Sequence, residues 1–238
     1  MRRILYTVVL SLGLYTLSAQ ENGNAGNEVI EKDFVETREI RFMESLIAIR
    51  GGTNVPNVIS SQGFRRTFKG IYEVNAALTI RVASGFNVGV GFKNALVSTQ
   101  ERIQNLDTRM QLYTGYLKFL YNRFHTPRVY SSMGINVGYN NSFFTNVQPI
   151  FSPVITKQYN SLVFEPEYSI NFAVEESFSI GMFVSYTIMT TPFNAKNIAM
   201  QDYTSAATLG ANKSVGILNV GFAFYVGMGR RFKPRVPD

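Results

Sequence analysis

Cysteine and tryptophan are missing from all 238 positions, and histidine occurs once, as His125. Without cysteine the chain has no disulfide, no thiol nucleophile, no cysteine-linked lipid and no thiolate metal site, so backbone pairing and packing must hold it together. One histidine and dispersed acidic residues match neither a zinc set nor a calcium loop, and no metal or cofactor is implied. Long apolar runs are scarce too. The stretch from Ile4 to about Leu17 falls short of the roughly 20 residues that cross a bilayer as a helix, and no later segment approaches that length. Yet 45% of the residues are hydrophobic and mean hydropathy is near zero, so the apolar side chains must be spread at a shorter period. Charged residues make up 16%, with a net charge of +7 that becomes +5 without Arg2 and Arg3. The basic residues form no helix-borne stripe, and no nucleic-acid partner is expected.

What is present begins with an export signal. Arg2 and Arg3, the apolar run and Ser18-Ala19-Gln20 read as a secretory signal peptide over residues 1–20, cut next to Gln20. A polar segment, 21–38, follows. A single domain is expected over 39–232 with a short tail, 233–238, since barrels of this length form one unit.

The period is two. From Thr67 to Ala83 the even positions are Phe68, Tyr72, Val74, Leu78, Ile80 and Val82, and the odd ones include Lys69, Glu73, Asn75, Thr79 and Arg81. Successive strand side chains point to opposite faces, so this is a strand with one hydrocarbon-compatible face and one wet face. The pattern returns at 86–98, 109–123, 129–143, 159–174 and 178–189. It closes at 212–232, where Leu218, Val220, Phe222, Phe224, Val226 and Met228 oppose Asn219, Gly221, Ala223, Tyr225, Gly227 and Gly229. The first run, 39–51, is noisier, with Met43, Ser45, Ile47 and Ile49 expected outward and Glu44, Ala48 and Arg50 inward.

Eight strands are thus predicted, and their connections alternate in length: short at Ser84-Gly85, 125–128 and 175–177, long at 52–66, 99–108, 144–158 and 190–211. Outer-membrane barrels have short periplasmic turns and longer outer loops. The expected fold class is all-β, an eight-stranded antiparallel transmembrane β-barrel with short periplasmic turns, longer extracellular loops and both termini periplasmic. A soluble sandwich or lipocalin-like barrel would bury the aromatics and leave Gly, Ser and Asn to water. A narrow eight-stranded lumen suits the small polar set and lipid suits the aromatics.

The same phase places Glu44, Arg50, Lys69, Glu73, Arg81, Lys93, Lys118, Glu165 and Glu167 in the lumen. Unpaired charges in a confined interior are costly, so near-balanced signs predict a paired network that fills the barrel. A gated narrow channel or a proton-responsive core is the functional alternative. Pro166 cannot donate to a ladder, and a bulge is expected there, with a lateral opening as the less ordinary consequence. Gly89-Val90-Gly91 and Gly227-Met228-Gly229 lie inside strands, where they relieve lumen crowding rather than cradle phosphate.

The last strand ends Phe222-Ala-Phe-Tyr-Val-Gly-Met-Gly-Arg-Arg-Phe232. Phe222, Phe224, Gly227, Gly229 and Phe232 resemble a barrel assembly signal, in which alternating apolar residues precede a terminal aromatic; Lys233 to Asp238 continue past it. Together with Ser18-Ala19-Gln20 and Phe164-Glu165-Pro166-Glu167-Tyr168, this strand resembles the Bacteroidetes-type outer-membrane β-barrels, the small eight-stranded OmpA/PorT-like family. The resemblance covers essentially the whole mature chain. It implies a Gram-negative outer-membrane location, with membrane lipid and the barrel assembly machinery as partners. It also implies a structural, adhesive or complex-assembly role, as an accessory of a secretion or envelope system. Transport of a small or hydrophobic solute is the alternative. Known barrel enzymes of that membrane resemble one another in using a histidine near the outer rim, whereas His125 falls in a short turn with no nucleophile and carboxylate evident around it, so no enzyme is expected. The loops 144–158 (Pro149, Phe151, Pro153) and 190–211 (Phe193, Met200, Tyr203) are the candidate surfaces for an envelope partner.

Overall fold

A computed structural model of the chain describes residues 43–59, 65, 68–99, 107–147, 155–190 and 214–232. The chain divides into Met1–Arg38 and Glu39–Asp238. The first unit, with the expected signal peptide and polar segment, lies outside the described residues, as do the tail 233–238 and most of the long connections.

The described residues contain eight strands: β1 (Glu44–Val58), β2 (Phe68–Ala83), β3 (Phe86–Thr99), β4 (Asp107–Phe124), β5 (Val129–Val147), β6 (Ile155–Glu175), β7 (Phe178–Met189) and β8 (Val215–Phe232). Each pairs antiparallel with its sequence neighbour, and β1 pairs with β8, so the sheet closes on itself and leaves no edge. The expected all-β, eight-stranded ring is the fold. The two-residue alternation sorts its faces. Ile80, Val90, Leu117, Met133, Ile170, Met182 and Phe222 point out, while Thr79, Lys93, Thr114, Asn136, Ser169, Ser185 and Asn219 are buried inside. The short connections 84–85, 125–128 and 176–177 share one end of the ring, called here the turn end. The other is the loop end.

Several strand limits differ from the sequence expectation, each for a local reason. β1 runs on through 52–58, a segment expected to be loop, because Asn54, Pro56 and Val58 are buried while Thr53, Val55 and Asn57 are exposed. Pro56 is tolerated there. Ile59 donates its N–H to Gly216 of β8, so by the two-residue repeat the even positions face β2, whose pairing with β1 has already ended at Asn54. β5 extends to Val147 and β6 starts at Ile155, so Phe144 is an inward strand residue rather than part of a loop.

Two bulges overturn the assigned phase. The β2–β3 register shifts between Gly70 and Tyr72, with Ile71 as the extra residue. Beyond it the faces exchange: Phe68, expected outward, is buried, and Lys69, expected in the lumen, is exposed on the outer wall. The β1–β8 register shifts between Ser45 and Ile47. Opposite this shift Gly229 takes φ +79°, a left-handed backbone that favours glycine. Ser45, expected outward, is therefore buried, and its N–H donates to the Tyr225 hydroxyl at 3.2 Å. Gly229 thus shapes a bulge rather than relieving lumen crowding. A Cβ added at Gly229 would meet nothing within 4 Å, so Gly229→Ala should lower stability only by the backbone term, about 1–2 kcal/mol. The urea midpoint of the folded protein measures it, and no change would show that this backbone is not strained for alanine.

The bulge expected at Pro166 is absent. Phe164 pairs with Ile188 and Glu167 with Ser185 in one unbroken register, and Ile135 pairs with Pro166 on the other side. The proline instead leaves a gap in the β6–β7 ladder at Glu165 and Pro166, because its missing N–H falls on the β7 side.

Candidate functional site

The interior is built in three levels. Nearest the turn end, the buried Glu44 carboxylate accepts from Arg81 Nε at 2.8 Å, Gly85 N at 3.2 Å and Asn122 Nδ2 at 3.4 Å. Asn122 Oδ1 in turn accepts from Arg50 Nη2 at 3.3 Å and Ser132 Oγ at 2.8 Å. The Arg50 guanidinium lies 4.8 Å from the Tyr225 ring centre and that of Arg81 lies 4.2 Å from the Phe232 ring centre. Ala48, Phe124, Tyr130 and Tyr225 pack beside these groups.

The middle level holds the densest charge. Lys93 Nζ is bonded to the Glu165 carboxylate, donates to Thr187 Oγ1 at 3.1 Å and lies 3.8 Å from Glu73. Glu165 also accepts from Thr187 and, at 3.1 Å, from Asn136. Lys118 Nζ donates to Glu167 at 2.6 Å, and Asn54 Nδ2 donates to Glu73 at 2.9 Å. Such ions are tolerable away from water because each is paired: Lys93, Glu73, Glu165 and Glu167 have two or more partners, and Lys118 has Glu167.

Towards the loop end the lining turns apolar. Val58, Phe68, Ala95, Val97, Met110, Leu112, Phe144, Val163, Met189, Val215 and Ile217, contributed by all eight strands, pack as one buried cluster with Tyr159 against it. Ala95 follows Lys93 and Leu112 precedes Thr114 on the inward face, so this layer lies next to the charged one on its loop-end side.

Of the nine charges assigned to the lumen, Glu44, Arg50, Glu73, Arg81, Lys93, Lys118, Glu165 and Glu167 face the interior, and Lys69 does not. The neutral partners Asn122, Asn136 and Thr187 lie on the polar face that the alternation predicts, but their pairing with the charges depends on cross-barrel neighbours that one strand does not show. The apolar layer is not visible in the alternation, because Phe68 reaches it only through the Ile71 bulge and Phe144 falls in the expected loop 144–158. In the last strand Phe222 and Phe224 are exposed on the outer wall, but the bulge at Gly229 turns Phe232 onto Arg81 instead. His125 sits in its short turn as expected, with one unforeseen partner: its Nε2 is 2.9 Å from Ser131 Oγ. No carboxylate is bonded to that pair among the described residues, and there no three metal-ligating side chains converge.

A void of 20 Å³ remains between Arg50, Tyr116, Lys118, Glu167 and Asn171. A single water needs about 10–15 Å³ measured this way, so the space is of one-water size. Two larger depressions lie on the outer wall instead. One of 560 Å³ is lined by Phe86, Phe119, Tyr121, Met133, Ile135 and Tyr168 among others; one of 720 Å³ is lined by Val74, Phe172, Met182, Phe222 and Phe224 over Gly52 and Gly181.

No family model and no curated protein sequence matches the chain. Solved structures do. Neisserial surface protein A superposes with a TM-score of 0.54 at 11% identity, over 77% of this chain and 98% of that one. OprG of Pseudomonas aeruginosa gives 0.46 at 16% identity over 79% and 99%, and Ail of Yersinia pestis, crystallised with the heparin analogue sucrose octasulfate, 0.42 at 13% over 77% and 99%. At 11% identity the likeness to neisserial surface protein A is one of fold, the small eight-stranded barrel.

Proposed function

We propose that the protein is an integral outer-membrane barrel with a closed lumen, acting as a structural, adhesive or complex-assembly component through its wall and loops. The filled interior carries this reading. An ion-paired level, an apolar level and a residual void of 20 Å³ oppose passage of a hydrated solute. The outer wall supports the membrane setting. Large apolar side chains are exposed on every strand, with Phe222 at 67%, whereas soluble monomers rarely expose contiguous apolar patches beyond a few hundred Å².

In this reading residues 1–20 are removed on export, and the turn end and both termini are periplasmic. The last strand, with Phe222, Phe224, Gly227, Gly229 and Phe232, is what the assembly machinery engages. The OmpA/PorT-like resemblance supports a place as an accessory of a secretion or envelope system. The alternative, a narrow or laterally open transporter, draws on the ladder gap at Pro166, where the wall has fewer hydrogen bonds to break.

The test is current across a planar bilayer holding the folded protein, with heat-modifiable gel mobility as proof of folding. No unitary conductance above baseline is expected. Steady openings from a heat-modifiable barrel would overturn the closed-lumen reading and favour transport. Tags in 190–211 and after Asp238 report orientation: only the loop tag should be cleaved from outside the cell.

A further inference from the structure

The 560 Å³ depression on the outer wall changes character at its turn-end rim on β4 and β5, while β6 continues apolar with Ile170. Its rows are apolar: Phe119 pairs with Ile135, and Tyr121 with Met133 and then Tyr168. The next row towards the turn end pairs Arg123 with Ser131. A two-residue step along a strand is about 6.8 Å, so cation and groove lie within one side-chain length on the same face.

Arg123 is exposed, and among the described residues no carboxylate is within ion-pair distance of it. Ser131 on the same row is buried under the His125 imidazole, which it contacts at 2.9 Å. The turn that carries His125 is fixed by its own bonds. His125 N and Thr126 N both donate to Val129 O, at 2.9 and 3.2 Å, and Thr126 Oγ1 accepts from Val129 N at 3.0 Å. Arg128, also exposed, adds a second cation in that turn.

We propose that Arg123, with the His125–Ser131 pair beside it, holds the phosphate of an anionic phospholipid whose acyl chain lies in the groove of Phe119, Tyr121, Met133 and Ile135. The inference rests on the membrane reading above. Charge complementarity selects this occupant. A guanidinium offers two parallel N–H donors that match a phosphate, and the imidazole supplies a third polar contact. The apolar-to-cationic step over one strand repeat follows the order of a lipid, chain first and phosphate at the rim. An apolar peptide or a second copy of the barrel would leave the cation unanswered. The rim is at the turn end, so the lipid belongs to the periplasmic leaflet.

The test uses the full-length protein folded in phosphatidylcholine vesicles, then native mass spectrometry in micelles with phosphatidylglycerol. Wild type should retain one phosphatidylglycerol in preference to phosphatidylcholine. Arg123→Gln should weaken that retention about fivefold, the scale of one cation at an anionic lipid surface. Arg231→Gln, at the same end but paired with Glu176 at 2.7 Å, should leave it unchanged. Equal retention by wild type and Arg123→Gln would overturn the site. So would displacement of the lipid by glycerol phosphate alone, or a dimer in place of a lipid adduct. Insertion into the vesicles without lipid preference defeats this site only, whereas failure to insert defeats the membrane reading as well.

Discussion

Lys93→Met should lower the unfolding free energy by about 3–5 kcal/mol, the loss typical when one member of a buried ion pair is removed. Lys93 is 5% exposed, and the carboxylates of Glu165 (4%) and Glu73 (3%) both converge on its ammonium. Without it two buried anions face each other with only Asn54, Asn136 and Thr187 as hydrogen-bond donors. Those amides and the hydroxyl stabilise negative charge but do not neutralise it. Replacing the group as a whole, with Lys93→Met, Glu165→Leu and Glu73→Gln together, should recover most of the loss, since apolar replacements of similar volume are often close to neutral. Urea unfolding in lipid vesicles, followed by heat-modifiable mobility, measures both proteins. A loss below about 1 kcal/mol for the single variant would match a solvent-exposed ion pair. The interior would then be wet, and the transport reading would gain.

Phe222→Arg should cost about 2–4 kcal/mol, the depth-dependent penalty for a cation at the bilayer midplane of a barrel. Phe222 lies near the middle of β8, which runs from Val215 to Phe232, and is 67% exposed on the outer wall. Val82→Arg, two residues before the turn and equally exposed, should cost no more than about 1 kcal/mol, because the penalty fades near the interface. The contrast between the two is the measurement. In a water-soluble barrel both would be surface substitutions within about 0.5 kcal/mol of neutral. Equal, small effects would therefore sink the membrane reading, whereas a large effect confined to Phe222 locates the hydrocarbon.

Much of this architecture is written in the period of the chain. β7 spans 178–189 in both the sequence pattern and the structure, because every even position from Phe178 to Ile188 is apolar, between the short turn before it and the long connection after it. The Pro166 strand reads correctly as a strand and incorrectly as a bulge. Proline announces a missing donor, but whether a register slips depends on both neighbours, and Ile135 of β5 keeps this one in place. The charged interior was legible as a set of signs and positions, and illegible as a network. Lys93 meets Glu165, 72 positions away, through the barrel's closure, and no local pattern encodes that distance.

By itself the sequence determined the strand count, the polar and apolar faces, the short and long connections and the absence of cysteine chemistry, because each follows from side-chain alternation or composition. Only the tertiary structure decided which charges pair. It also turned Lys69 out to the wall and Phe68 and Phe232 in, and it brought His125 onto Ser131 beside Arg123. The charge pairs follow from closure of the ring and the His125 contact from its turn; the exchanged faces of Lys69, Phe68 and Phe232 follow from the bulges. A two-residue period carries a face label along one strand, and a single inserted residue reverses that label, so the outcome belongs to the pairing of two strands rather than to either alone.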